Sequence, residues 1–177
     1  MIPVEELDVQ CEMFIDLENL RDNGFDLIPA VEFQGWNQFF DRLVGPVFPP
    51  LVKEFWIHAT CAPKAILSFV MGKEISITEN VIRKLFGLEG EGEVAIPKDR
   101  FDMNIVYAEI FTSGNASTKI KDLKDEYKIW AKIFISCIHH RKESSSPDYI
   151  NQDQQYLLYC IGKNIKVDLA YLLFNHL

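Results

Sequence analysis

Along the chain, short apolar stripes alternate with breaks of Gly, Pro, Ser and Asn. Cys11, Phe14, Ile15 and Leu17 to Leu20 recur at roughly helical spacing, and Asn23-Gly24 supplies a stop, because both residues tolerate the left-handed conformation at a helix C-terminus. Gly35-Trp36 opens a second short helix that turns Trp36, Phe39, Phe40 and Leu43 inward. The proline-rich run at residues 45–50 ends it, since proline lacks an amide donor and restricts the residue before it. Residues 51–59 mix β-branched and aromatic side chains and read as a strand, with helix as the alternative. Residues 65–71 are apolar, Gly72-Lys73 reads as a turn, and residues 74–77 alternate with period two. These pieces predict a small antiparallel sheet over about residues 51–77.

The pattern then becomes helical again. Thr78 is a candidate N-cap for a helix whose apolar face is Val81, Ile82, Leu85 and Phe86, and Gly87 ends it. Residues 89–93 and 112–118 read as loops. A long helix is expected over residues 120–140, with Leu123, Tyr127, Trp130, Phe134 and Cys137 on one buried face and Lys121, Lys124, Lys128 and Lys132 opposite. Ser144 to Pro147 breaks the chain, and a further helix within residues 148–162 places Tyr149, Asp153, Tyr156, Leu157, Cys160 and Ile161 on one side. Asp168 can cap a last helix carrying Leu169, Leu172, Leu173 and Phe174, expected to dock near residues 156–161. The fold class is α+β, predominantly helical, with helices packed around the small sheet. Trp36, Trp56, Leu85, Trp130, Phe134 and Tyr156 are the expected core anchors.

Composition adds little to the fold and more to the organisation. At 177 residues, 48% hydrophobic and 25% charged, the chain has the balance of an ordinary globular domain. Its formal charge of −8 is lodged entirely in residues 1–40, which hold nine acids and Arg21 as the one base, while the remainder carries 17 bases and 17 acids. The division expected is an acidic N-terminal helical arm, residues 1–32, followed by a globular domain over 33–177. The acidic start is unlike a secretory or transit leader, and no apolar run approaches the length of a membrane span.

Chemical signatures are sparse. Cys11, Cys61, Cys137 and Cys160 are far apart and read as reduced, mostly buried thiols. No P-loop, G-x-G-x-x-G, G-x-S-x-G or H-E-x-x-H motif is present. Cys137, His139, His140, Cys160 and His176 contain zinc-type donors without the paired short spacing of a zinc site, so no metal is expected. Cys61 beside His58 lacks a demonstrable base geometry for a nucleophile. Neither an enzyme nor a cofactor is expected. Residues 119–142 hold seven bases against Asp122, Asp125 and Glu126, a local net charge of +4 within an acidic chain.

Three blocks of residues carry a family resemblance. The first is Gly35-Trp36 with Phe39-Phe40 and then Pro46 to Trp56; the second runs from Val70 to Leu88. The third comprises Lys128 to Lys132, Ile138 to Arg141, Asp148 to Gln154 and finally Leu172 to Leu177. Together, over about residues 33–177, they resemble the plant transposon protein domain, labelled envelope-like in legume long-terminal-repeat retroelements and similar in layout to the plant mobile domain. The resemblance implies a retroelement origin and supplies no catalytic residue to carry over. It also implies a reading frame that continues past residue 177. The expected function is a non-enzymatic interaction or structural domain, intracellular in nucleus or cytoplasm, with an unidentified protein partner and no membrane. The alternative is a nucleic-acid-binding accessory factor that uses the basic face of residues 120–142, namely Lys121, Lys124, Lys128, Lys132, Arg141 and Lys142.

Overall fold

The structure is a computed structural model that describes residue 9 and residues 13–97, 101–138 and 148–177. Four helices lead the chain: α1 (Leu17–Asp22), α2 (Ile28–Gln34), α3 (Asn37–Arg42) and α4 (Pro49–His58). A meander of β1 (Thr60–Ala62), β2 (Ala65–Val70) and β3 (Lys73–Ile77) follows. Then come α5 (Glu79–Phe86), α6 (Met103–Ile110), α7 (Asp125–Ile133), α8 (Gln152–Gly162) and α9 (Leu169–His176). The architecture is α+β and predominantly helical.

Local chemistry explains most boundaries. The Asn19 amide donates to Asp16 Oδ1 at 2.9 Å, the Val81 amide to Thr78 Oγ1 at 3.2 Å, and Asn151 with Gln154 forms a reciprocal capping box. In the meander, Thr60 pairs with Leu67 and Leu67 with Ser76. The β2–β3 turn centres on Met71 and Gly72, whose φ values of 51° and 73° match the twist that a tight hairpin requires. One face of the sheet packs on α4, where the Ser68 hydroxyl donates to the Phe55 carbonyl at 2.6 Å.

Of residues 51–59, expected as a strand, 51–58 are therefore helix and Ala59 is its extended C-cap. Pro49 and Pro50 end the preceding segment and also start this one, because the first turn of a helix has no use for the missing amide and benefits from the fixed φ. The sheet is accordingly shorter than expected and starts at Thr60. The long helix expected over 120–140 is broken as well. A 3₁₀ turn (Ile120–Asp122) leads into extended Leu123 and Lys124, and α7 runs into a π-helical turn (Phe134–Ile138). Leu123 is bridged to Phe111, with the Thr112 amide on Asp122 O and the Lys124 amide on Ile110 O, so strand-like pairing with α6's exit replaces the first helical turn.

The main core joins Trp36, Trp130 and Phe134 to Leu27, Val106, Leu123, Tyr156 and Leu157. Trp36 meets Trp130 edge-on at 6.2 Å and Phe134 at 6.5 Å. Two expected anchors lie elsewhere: Trp56 is 41% exposed and Leu85 47% exposed. On α4 only Phe55 is buried, and Trp56, one step round the helix, covers its edge at 5.2 Å. On α5 the inward positions are Ile82 and Phe86 at i and i+4, which leaves Leu85 toward solvent.

The last helix docks on α5 and the π turn rather than along α8. Arg83 explains this placement, since its guanidinium bonds Glu79 at 2.8 Å, the Gly90 carbonyl at 2.5 Å and Asp168 at the start of α9. Asp168 in turn accepts from the Tyr171 amide at 3.0 Å. A second polar node joins α6, α7 and α8's exit: Glu109 accepts from the Tyr127 hydroxyl at 3.0 Å and pairs with Lys163 at 2.5 Å. Lys163 holds the Glu109 carboxyl below the ordinary carboxylate range, partly opposed by desolvation. The carboxylate's contribution should be fully present above about pH 4.5 and fade as pH falls through its lowered folded value. Acid titration of thermal stability should therefore show Glu109→Gln losing stability against the parent near neutral pH, with the gap narrowing toward pH 3.

Candidate nucleic-acid interface

Four lysines converge on one hollow of about 640 Å³, lined by Lys119, Ile120, Lys121, Lys128, Lys132, Asp148 and Tyr149. Two structural facts bring them together. Lys128 and Lys132 are one turn apart on α7, about 6 Å along its axis, so both ammonium groups project from the same side. Across from them, residues 118–120 pair antiparallel with 148–150: the Ile120 amide donates to Asp148 O, and the Ile150 amide to Thr118 O, both at 2.8 Å. Those bonds flank the Lys119–Tyr149 bridge and make it a non-hydrogen-bonded pair, the close type in which the two side chains stand side by side.

Buried Gln155 holds this floor. Its Nε2 donates to the carbonyls of Ser117 at 3.0 Å and Ile150 at 3.2 Å, one on each paired segment. Ser117 adds a hydroxyl bond to Asp122 at 2.6 Å and accepts from the Lys119 amide at 3.2 Å, fixing the turn that carries Lys119 and Lys121. With Asp148 as the one acid among the described lining residues, those residues carry a net charge of +3. Lys128 is paired with Asp125 at 2.8 Å, an exposed contact of the kind that contributes little and yields readily to a stronger anion. Tyr149 is 43% exposed at this wall.

The family model for the Putative plant retrotransposon-related domain matches residues 32–177, more than four-fifths of the chain. The chain belongs to this family. No curated protein and no solved structure matches it.

Within this retrotransposon-related domain, Lys121, Lys128 and Lys132 share the hollow, whereas the expected single stripe of four lysines does not exist. Lys124 precedes α7 in extended conformation and directs its ammonium to the Ala108 carbonyl at 3.4 Å, away from the others. Arg141, Lys142, His139 and His140 lie outside the described residues, as does Cys11. Tyr149 is the addition that only the fold supplies, and Lys119, one of the seven bases of residues 119–142, joins the site from outside the expected helix. Tyr149 precedes the Asn151 cap of α8 and so does not share that helix's buried face.

Of the remaining candidates, Cys137 and His176 line one groove between α3, α5 and α9, and the other described ones do not join them there. Cys137 and Cys160 are buried, and burial pushes the Cys160 thiol up to about 12. Cys61 is exposed on β1, and His58 ends α4. Burial lowers the pKa of His176 at the end of α9. Among the described residues, no three His, Cys, Asp or Glu side chains group as a metal site. A second concavity, an apolar groove of about 390 Å³, runs between α3, α5 and α9 past Val47, Val81, Leu85 and Leu173. No helix among the described residues is long and apolar enough to cross a membrane.

Proposed function

We propose that this plant retroelement-derived domain is a non-enzymatic binding module, acting inside the cell, whose ligand is nucleic acid held at the Lys119–Lys121–Lys128–Lys132 hollow. The observation that carries the reading is the convergence of four ammonium groups on one concave site from two separate segments. Phosphate contacts of this type release counterions and are steeply salt-dependent. If all four lysines engage phosphates, affinity should fall about 50- to 150-fold between 50 and 200 mM salt. Replacing Lys119, Lys121, Lys128 and Lys132 with Gln should abolish most of that dependence and leave the melting temperature nearly unchanged, because Lys119, Lys121 and Lys132 are exposed and half-buried Lys128 makes its ion pair with exposed Asp125. Fluorescence anisotropy of a labelled mixed-sequence oligonucleotide, measured across salt for parent and variant, checks both statements. Binding indifferent to the four substitutions would refute the reading.

A protein partner is the second reading, supported by the exposed Val81 and Leu85 at the apolar groove. A partner seated there would bind with little salt dependence and would be insensitive to the lysine substitutions.

A further inference from the structure

We infer that the lysine hollow takes single-stranded nucleic acid, with the Tyr149 ring as a stacking platform for one unpaired base. This rests on the nucleic-acid reading above and adds the strandedness of the ligand and the residue that selects it. Three features of the site carry it. The Lys119–Tyr149 bridge is a close, non-hydrogen-bonded pair, so a phosphate on Lys119 leaves the attached base within reach of the Tyr149 ring. Tyr149 is 43% exposed in the lining of the hollow, and its backbone is pinned by the Ile150–Thr118 and Ile120–Asp148 hydrogen bonds. The platform is therefore ordered before a ligand arrives.

The second feature is the arrangement of charge. Lys128 and Lys132 come from α7, and Lys119 and Lys121 from the segment before it, around about 640 Å³ of space. Cations delivered to one concavity from two segments suit a strand that enters it with its bases splayed. A duplex is too wide to enter a hollow of this size and keeps its base faces stacked. The third feature is the lack of base-edge readers among the described lining residues: the lysines and Asp148 surround Ile120 and Tyr149, with no Asn, Gln or Arg among them. A charged groove combined with an aromatic face is the recognition chemistry of sequence-tolerant single-strand binding.

The test uses the full chain and three labelled probes of equal phosphate number: an unstructured oligo-dT, a blunt DNA duplex and heparin-like sulfated oligosaccharide. The expected result is that oligo-dT binds at least ten-fold more tightly than either of the others at 100 mM salt. Tyr149→Ala should weaken oligo-dT binding about ten-fold, on the scale of one lost stacked base, without changing the salt slope. Tyr149→Phe should restore it, and neither change should alter duplex binding or the thermal melt. Equal affinity for oligo-dT and duplex, or an oligo-dT affinity untouched by Tyr149→Ala, would overturn the single-strand inference while the nucleic-acid reading stands. Preference for the sulfated oligosaccharide, or binding to none of the three probes, would overturn both.

Discussion

Trp130→Ala is expected to cost about 3–5 kcal/mol of stability, the usual scale for truncating a fully buried large aromatic. Trp130 has no exposed surface and sits where α7 meets the start of α3, its ring edge-on to Trp36. Removing the indole would leave a cavity bounded by Trp36, which also contacts Phe134 on the π turn, so the packing of α7 against the start of α3 is loosened. For a domain of this size the loss corresponds to a melting temperature lowered by on the order of 10 °C. Trp130→Phe should be much milder, for a specific reason. The buried indole Nε1 has no hydrogen-bond partner, so phenylalanine gives up volume but also removes an unsatisfied donor. Thermal melts of the two variants beside the parent check the order. An unchanged melt for Trp130→Ala would mean that the helical layer is not held at this point.

Gly92→Ala should be comparably damaging, at about 2–4 kcal/mol from overpacking and broken backbone hydrogen bonds. A Cβ placed on Gly92 would lie 2.7 Å from the backbone carbonyl of Lys166 and from Val167 C, atoms that cannot rotate away. The approach is close because Glu93 bridges Val167 in parallel fashion, with the Glu93 amide on Lys166 O at 2.8 Å and the Asp168 amide on Glu93 O at 3.0 Å. Making room for a methyl group means parting those two segments, and Asp168 is also the residue that caps α9 and meets Arg83. Gly90→Ala provides the contrast. Gly90 has a φ of +83° but nothing within 4 Å of its Cβ position, so only the left-handed strain of about 1 kcal/mol is lost there. Chemical denaturation should rank Gly92→Ala well below Gly90→Ala in stability; the reverse order would show that the 92–93 contact with 166–168 is not held in solution.

Where local chemistry decides an element, the amino-acid pattern alone was enough. Thr78 as a cap, Gly87 as a stop, the apolar alternation of residues 65–77 and the Asp168 cap each act within a few residues of one another. The helices, hairpin and α+β class built on them follow from that short range. The buried positions of Trp36, Trp130, Phe134 and Tyr156 also follow from size and helical spacing. Helices α2 and α6 carried signals of the same local kind, Pro29 in a first turn and the Asp102 carboxylate accepting from the Asn104 amide, in stretches with weak apolar periodicity.

Tertiary structure decided the rest, because each deciding contact joins residues far apart in the chain. Pro49-Pro50 is compatible with a stop and with a start, and only packing of Phe55 under β2 selects the helix. Apolar spacing from Leu123 onward permits one long helix, yet pairing with Phe111 diverts its first turn and moves Lys124 away from the other lysines. The candidate site itself arises in this way. Lys128 and Lys132 share a helix face by their spacing, but Lys119 and Tyr149, thirty residues apart, become neighbours only through a backbone bridge whose hydrogen bonds carry no mark of side-chain identity. Main-chain pairing is nearly independent of sequence, so the residues it brings together leave little signal in the pattern of hydrophobic and polar positions.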